Sequence, residues 1–147
     1  MQPAMSARRI QLAIAVFAIA GAAVSSVSLY HHYGTSETAF CDFAVNFNCD
    51  IVNRSRYSAV LGIPVALIGV AGYLVLLALS TLYRSRPRTP AMLLGASTLG
   101  LGFALYLTYI EAFVLGVWCI LCLSSLTAIV LITVLSSVLV AQSIRKL

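Results

Sequence analysis

The sequence predicts an all-α membrane protein, a four-transmembrane-helix bundle with an outer-side loop and short-helix cap. Three observations predict it. The chain is 61% hydrophobic and only 9% charged, where a soluble domain carries about 25% charged residues, so it lacks the charge to clothe itself in water. Uncharged runs occupy residues 10–29, 59–82, 91–110 and 112–144, and each can supply the roughly 20 residues that cross a ~30 Å hydrocarbon core. The basic residues cluster at Arg8 and Arg9, at Arg84, Arg86 and Arg88, and at Arg145 and Lys146, which a four-helix topology puts on one side of the membrane.

By the positive-inside rule that side is cytoplasmic. The +5 net charge is therefore orientation bias, and it gives no reason to expect nucleic acid as a partner. The first run follows a basic stretch, as a secretory signal would. Its apolar length exceeds the roughly 7–15 residues of a signal h-region, so it reads as a helix of the mature protein. Helices are expected at about 10–30, 58–82, 91–111 and 117–142, with an outer loop at 31–57, all in one membrane domain covering residues 1–147.

Tyr30 and Tyr33 suit an outer aromatic belt. The loop after them is rich in large apolar residues, and FCDFAVNF could lie as a short amphipathic helix across the membrane surface. In the second helix Ser55 or Ser58 is a candidate N-cap, Pro64 is expected two turns inside as a kink, and Gly62, Ala66, Gly69 and Gly72 permit close helix approach. A turn containing Gly116 separates the third run from the fourth.

The cysteines carry the chemistry. All four are expected on the outer side, Cys41 and Cys49 in the loop and Cys119 and Cys122 at the outer start of the fourth helix, the compartment where disulfides form and persist. Cys119 and Cys122 form C-I-L-C, and on a helix positions i and i+3 share a face. The helix dipole favours a thiolate at Cys119, while Cys122 sits a turn deeper and can face a ligand between helices. Cys41 and Cys49, with seven residues between them, form a pair that a loop could carry to an aqueous partner and to C-I-L-C. Thiol–disulfide exchange needs only a thiolate and an accessible disulfide, so the two pairs make a relay. Two structural disulfides would explain the compartment but not a C-x-x-C at a helix start. A Cys₄ zinc site fits the longer spacing poorly, and no metal is expected. Glu111 is either a proton relay or an interfacial carboxylate, with the interface favoured. His31 and His32 read as solvated loop residues. Arg54 and Arg56 would lower a Cys49 pKa and Asp50 would raise it.

The segments CDFAVNFNCDIVNRSRYSAVLGIPVALIGVAGY and YLTYIEAFVLGVWCILC, from Cys41 to Cys122, resemble the vitamin K epoxide reductase family, its bacterial members in particular. The loop pair precedes the C-x-x-C, the reverse of the DsbB family, whose helix and cysteine counts are similar. The resemblance implies Cys119 and Cys122 as the active-site pair, with Cys122 facing a quinone of the ubiquinone, menaquinone or vitamin K type. It implies Cys41 and Cys49 as the shuttle pair, Cys49 pairing with Cys119 in the intermediate. Ser55 matches a serine the family carries, which makes it a cofactor-binding candidate beside its N-cap reading. Many bacterial members carry a fused thioredoxin-like domain, absent here, so a separate thioredoxin-like (DsbA-like) partner is expected. Leu126 stands where vertebrate members have a tyrosine, and the vertebrate-type asparagine has no clear match near Leu61–Pro64. Both departures favour disulfide formation over epoxide reduction.

The expectation is a multi-pass cell-membrane oxidoreductase that reoxidises its partner at the expense of quinone. The alternatives are a quinone or vitamin K epoxide reductase using the same cysteines, or a non-enzymatic protein with two structural disulfides. Reporter fusions at Pro87 and Leu147 should both label from the cytoplasmic side. An outside signal at either would overturn the compartment argument.

Overall fold

A computed structural model describes residues 3–33, 52 and 55–145. Cys41, Cys49, Asp50, Arg54 and the expected cap helix lie outside the described residues. The order of elements is α1 (Pro3–Tyr33), a 3₁₀ turn (Arg56–Ser58), β1 (Ala59–Val60), β2 (Ile63–Pro64), α2 (Val65–Thr81), α3 (Thr89–Tyr109), a π-helical turn (Ile110–Leu115) and α4 (Ile120–Arg145).

This is an all-α membrane protein. Three helices are long and apolar enough to cross a bilayer, at Ala7–Tyr30, Thr89–Leu115 and Ile120–Arg145, while the apolar helix Val65–Thr81 is shorter. Leucines, isoleucines and valines stay exposed along all four helices. In lipid such residues need no cover, so helix packing relies on close contact and small side chains.

α1 packs chiefly on α2 and α4, and α4 also packs on α3, while α2 and α3 meet over a smaller area. Ile14 and Ala18 of α1, Tyr73, Leu76 and Leu79 of α2, Leu93 of α3, and Ile129 and Ile132 of α4 share one core. A Cβ at Gly21 would collide with the Tyr73 ring, so the ring lies directly on the α1 backbone. A Cβ at Gly69 would meet Ser25 Oγ at 2.8 Å. Buried hydroxyls turn inward on their own helices, as Ser97 donates to Leu94 O and Ser80 to Leu77 O. Gln11 Nε2 donates to Arg84 O at 3.1 Å, which ties the basic start of α1 to the basic α2–α3 connection.

The second helix departs from expectation at its start. The sequence places it from about residue 58, but residues 59–64 form a tight antiparallel hairpin, with Ala59 opposite Pro64 and Val60 opposite Ile63. Leu61 (φ 53) and Gly62 (φ 81) make its two-residue turn, both in the left-handed region that such hairpins demand. Pro64 is accordingly the residue before the first helical turn, where its fixed φ and missing N–H cost nothing. It is not an internal kink, and Gly62 serves the turn rather than a helix contact. Ser55 precedes the 3₁₀ turn without a side-chain capping bond.

Gly21→Ala should destabilise the bundle by about 1–3 kcal/mol, because the Tyr73 ring must move. Gly102→Ala is the control, since a Cβ there meets nothing within 4 Å. Thermal unfolding in detergent should show a lowered midpoint for the first variant only.

Candidate functional site

The site forms where α3 gives way to α4. α3 runs into the π-helical turn Ile110–Leu115, and Gly116 (φ 69) then reverses the chain in the left-handed conformation. Such wide turns recur at functional sites. The reversal puts the start of α4 beside Glu111. The backbone N–H of Cys119 donates to Glu111 Oε2 at 3.1 Å. Cys119 is the residue just before α4, and its carbonyl accepts from Leu123 N–H at 3.0 Å.

Cys119 is fully buried, in a cluster with Val52 and Leu121, against which Cys122 and Leu115 pack. Cys119 and Cys122 are free thiols. The Cys119 thiol is held below the ordinary thiol range, first by its hydrogen bond with the Cys122 side chain. The N–H groups of Cys122 and Leu121 at the helix start act in the same direction, against burial and the Glu111 carboxylate. The N-terminal position expected from C-I-L-C is therefore met one residue earlier, in the N-cap place, where free backbone N–H groups favour an anion.

A cavity of about 430 Å³ lies between α2 and α3. Cys122, Ser125 and Ile129 of α4 and Ser25, Ser28 and His32 of α1 close its back. Gly69 and Gly72 of α2 and Ala96, Gly100 and Ala104 of α3 line it too. The small residues that read as packing contacts also leave room for this space. Cys122 and Glu111 reach the cavity wall, whereas Cys119 does not.

Its polar groups sit at distinct places. At the hairpin end, Ser58 Oγ donates to Ser55 O at 2.6 Å and stands 3.2 Å from His32 Nδ1. Ser55 lines the cavity, with its hydroxyl donating to Val52 O at 2.9 Å. Tyr73 Oη lies 2.7 Å from Ser125 O and 2.8 Å from Ser125 Oγ. His32 belongs to α1 and is half-buried, in place of the solvated loop position expected for it. Among the described residues no cluster of three metal-ligating side chains occurs.

Glu111 adds most to the sequence reading. It is 1% exposed, enclosed by protein on all sides, and its Oε1 has no hydrogen-bond partner among the described residues. Tyr73, Ser125 and Ser58 were not singled out as site residues; a lone tyrosine in an apolar helix was the available signal.

The family model described as "Vitamin K epoxide reductase family" matches residues 12–137 of this chain. The match includes every residue of the site.

The depressed Cys119 thiol has a direct consequence. A lowered pKa keeps the thiolate present at lower pH, so alkylation of reduced Cys119 should reach half its maximal rate below the ~8.5 of a free cysteine. Cys122→Ala removes the largest cause and should move that midpoint upward. Peptide-resolved iodoacetamide labelling across pH measures both.

Proposed function

Because the chain belongs to the vitamin K epoxide reductase family, we propose that it is a quinone-linked thiol:disulfide oxidoreductase that reoxidises an extracytoplasmic thioredoxin-like protein. The observation that carries this is the unequal placement of the C-I-L-C thiols. Cys122 faces a cavity between helices, while Cys119 is turned away from it, beside Val52.

The cavity suits a quinone. Its wall is mainly aliphatic, with Leu76, Leu99, Phe103 and Leu107 available to an isoprenoid tail. The Ser58 and Tyr73 hydroxyls and the Cys122 thiol offer polar contacts to a ring carrying two carbonyl oxygens. Ser55 stands beside Ser58 as a further contact, and all three hydroxyls would turn from their present backbone acceptors to reach a quinone carbonyl. A bound quinone supplies one thing, the capacity to accept two electrons and two protons. Cys122 is the thiol placed to hand them over.

Cys119 performs the exchange with the shuttle pair. Its thiolate-favouring helix start is suited to forming a mixed disulfide, and the chain next to Cys49 arrives there. Two residues lie between Cys49 and Val52, so the two are within about 11 Å even at full extension, and Val52 clusters with Cys119. The order of events is attack by the partner's thiolate on Cys41–Cys49, attack by the reduced pair on Cys119–Cys122, and discharge through Cys122. Four helices cross the membrane in this reading, with both termini and the Arg84–Arg88 connection in the cytoplasm and the cysteines outside. Epoxide reduction by the same cysteines is less well supported, since Leu126 packs against the core and brings no hydroxyl to the cavity. A purely structural role for the cysteines sits poorly with a C-x-x-C at a helix start whose second thiol, Cys122, faces a cavity.

Purified protein should oxidise a reduced thioredoxin-like substrate only when quinone is added. Cys41→Ala and Cys49→Ala should abolish that reaction yet leave oxidation of dithiothreitol, which can reach Cys119–Cys122 directly. Cys122→Ser should stop quinone reduction while still trapping Cys49 on Cys119 in a non-reducing peptide map. Normal use of the protein dithiol by either loop variant would remove the relay.

A further inference from the structure

The carboxylate of Glu111 is fully buried, yet its two oxygens are treated differently. Oε2 accepts the N–H of Cys119, which holds the side chain against the start of α4. Oε1 has no partner among the described residues, and the residue lines the same cavity as Cys122. An acceptor oxygen buried without a donor costs free energy, and a structural acceptor for the Cys119 N–H needs one oxygen, not two. A glutamine or serine could take that bond without placing an ionisable group at the level of the cysteines. A carboxylate retained there has one oxygen occupied and the other available to a proton.

We propose that Glu111 is the proton carrier of the site, taking the proton of the Cys122 thiol through Oε1 and delivering it into the cavity. The inference rests on the quinone-linked reading above. Forming the Cys119–Cys122 disulfide removes two electrons and two protons from the two thiols, and the quinone takes up both pairs to become the quinol. Electrons can pass from sulfur directly, but a proton in an apolar cavity needs a group to hold it. Glu111 is the acidic residue at the cavity wall among the described residues. The other titratable groups near this space are the Cys119 and Cys122 thiols of the α4 start, Tyr73 of α2, Tyr57 of the 3₁₀ turn and His32 of α1. Tyr73 is engaged by Ser125, and His32 is beside Ser58 at the hairpin end.

The test compares Glu111→Gln and Glu111→Asp with the parent protein, using pre-reduced protein and a soluble short-tail ubiquinone analogue. Glu111→Gln keeps an acceptor for the Cys119 N–H but cannot carry a proton. Its single-turnover quinone reduction should fall by about 10²–10⁴-fold, the range for loss of a general acid–base group. The rise of rate with pH that reports ionisation of the carboxylate should vanish with it. A second readout needs no quinone. Removing the negative charge removes its repulsion of a Cys122 thiolate, so alkylation of Cys122 at neutral pH should hold or accelerate in the same variant. Glu111→Asp should recover part of the rate and the pH-dependent limb. Slow quinone reduction with equally slow alkylation and a lowered unfolding midpoint would make Glu111 a structural brace and overturn the proposal. So would a Gln variant within about threefold of the parent with an unchanged pH profile, or a folded Asp variant as inactive as Gln. If the parent protein itself fails to reduce the quinone, the quinone-linked reading falls, and the proton carrier falls with it.

Discussion

The hydrogen bond from the Cys119 N–H to Glu111 Oε2 answers the constraint that governs the whole molecule. Backbone polar groups buried away from water must find internal partners wherever a helix breaks. The passage from α3 to α4 is such a break. The π-helical turn and Gly116 take up the reversal, and the first N–H groups of α4 have no carbonyls behind them. Glu111 satisfies one of these groups with a side chain from the preceding turn. The same orphan N–H groups favour negative charge on Cys119. One local solution to a backbone problem thus sets the position and the reactivity of the cysteine pair.

The cavity follows from the packing of the helices. α1 packs tightly on α2, helped by the Tyr73 ring lying on Gly21, and also on α4, while the neighbouring helices α2 and α3 meet much less closely. Glycines and alanines on the facing sides of α2 and α3 leave the gap unfilled. Cys122 enters it because it lies one turn along α4 from Cys119, on the face that looks between those helices. A helix that began one residue earlier or later would rotate its side chains by about 100° and point that thiol elsewhere.

Much of this was legible in the sequence. Uncharged runs located the helices, because charge is excluded from the hydrocarbon irrespective of tertiary detail. C-I-L-C placed its thiols at a helix start, and Gly116 was readable as the turn before them. The hairpin was not legible. Its turn begins with Leu61 in a left-handed conformation that leucine does not advertise, and Pro64 within an apolar run reads as a kink as readily as a beginning. The burial of Glu111 was hidden for a different reason. A carboxylate at the end of an apolar run looks interfacial, and its partner is a backbone N–H eight residues away, which no side-chain pattern records. The cavity was equally hidden, since small residues that line a space and small residues that close one are the same letters. Cys41 and Cys49, the other half of the expected relay, lie outside the described residues.

The hairpin leaves α2 unusually short. Its 17 residues rise about 26 Å, less than the ~30 Å of an average hydrocarbon core, whereas the apolar stretches of α1, α3 and α4 hold 24, 27 and 26 residues. A bilayer spanned by all four helices would therefore meet a low wall on one side and full height on the others. Hydrophobic mismatch of this kind thins or disorders the acyl chains locally. The short helix borders the cavity, so any thinning of the lipid against it would fall on the cavity's side. A hydrophobic molecule diffusing in the membrane plane would meet its least ordered surroundings at that flank.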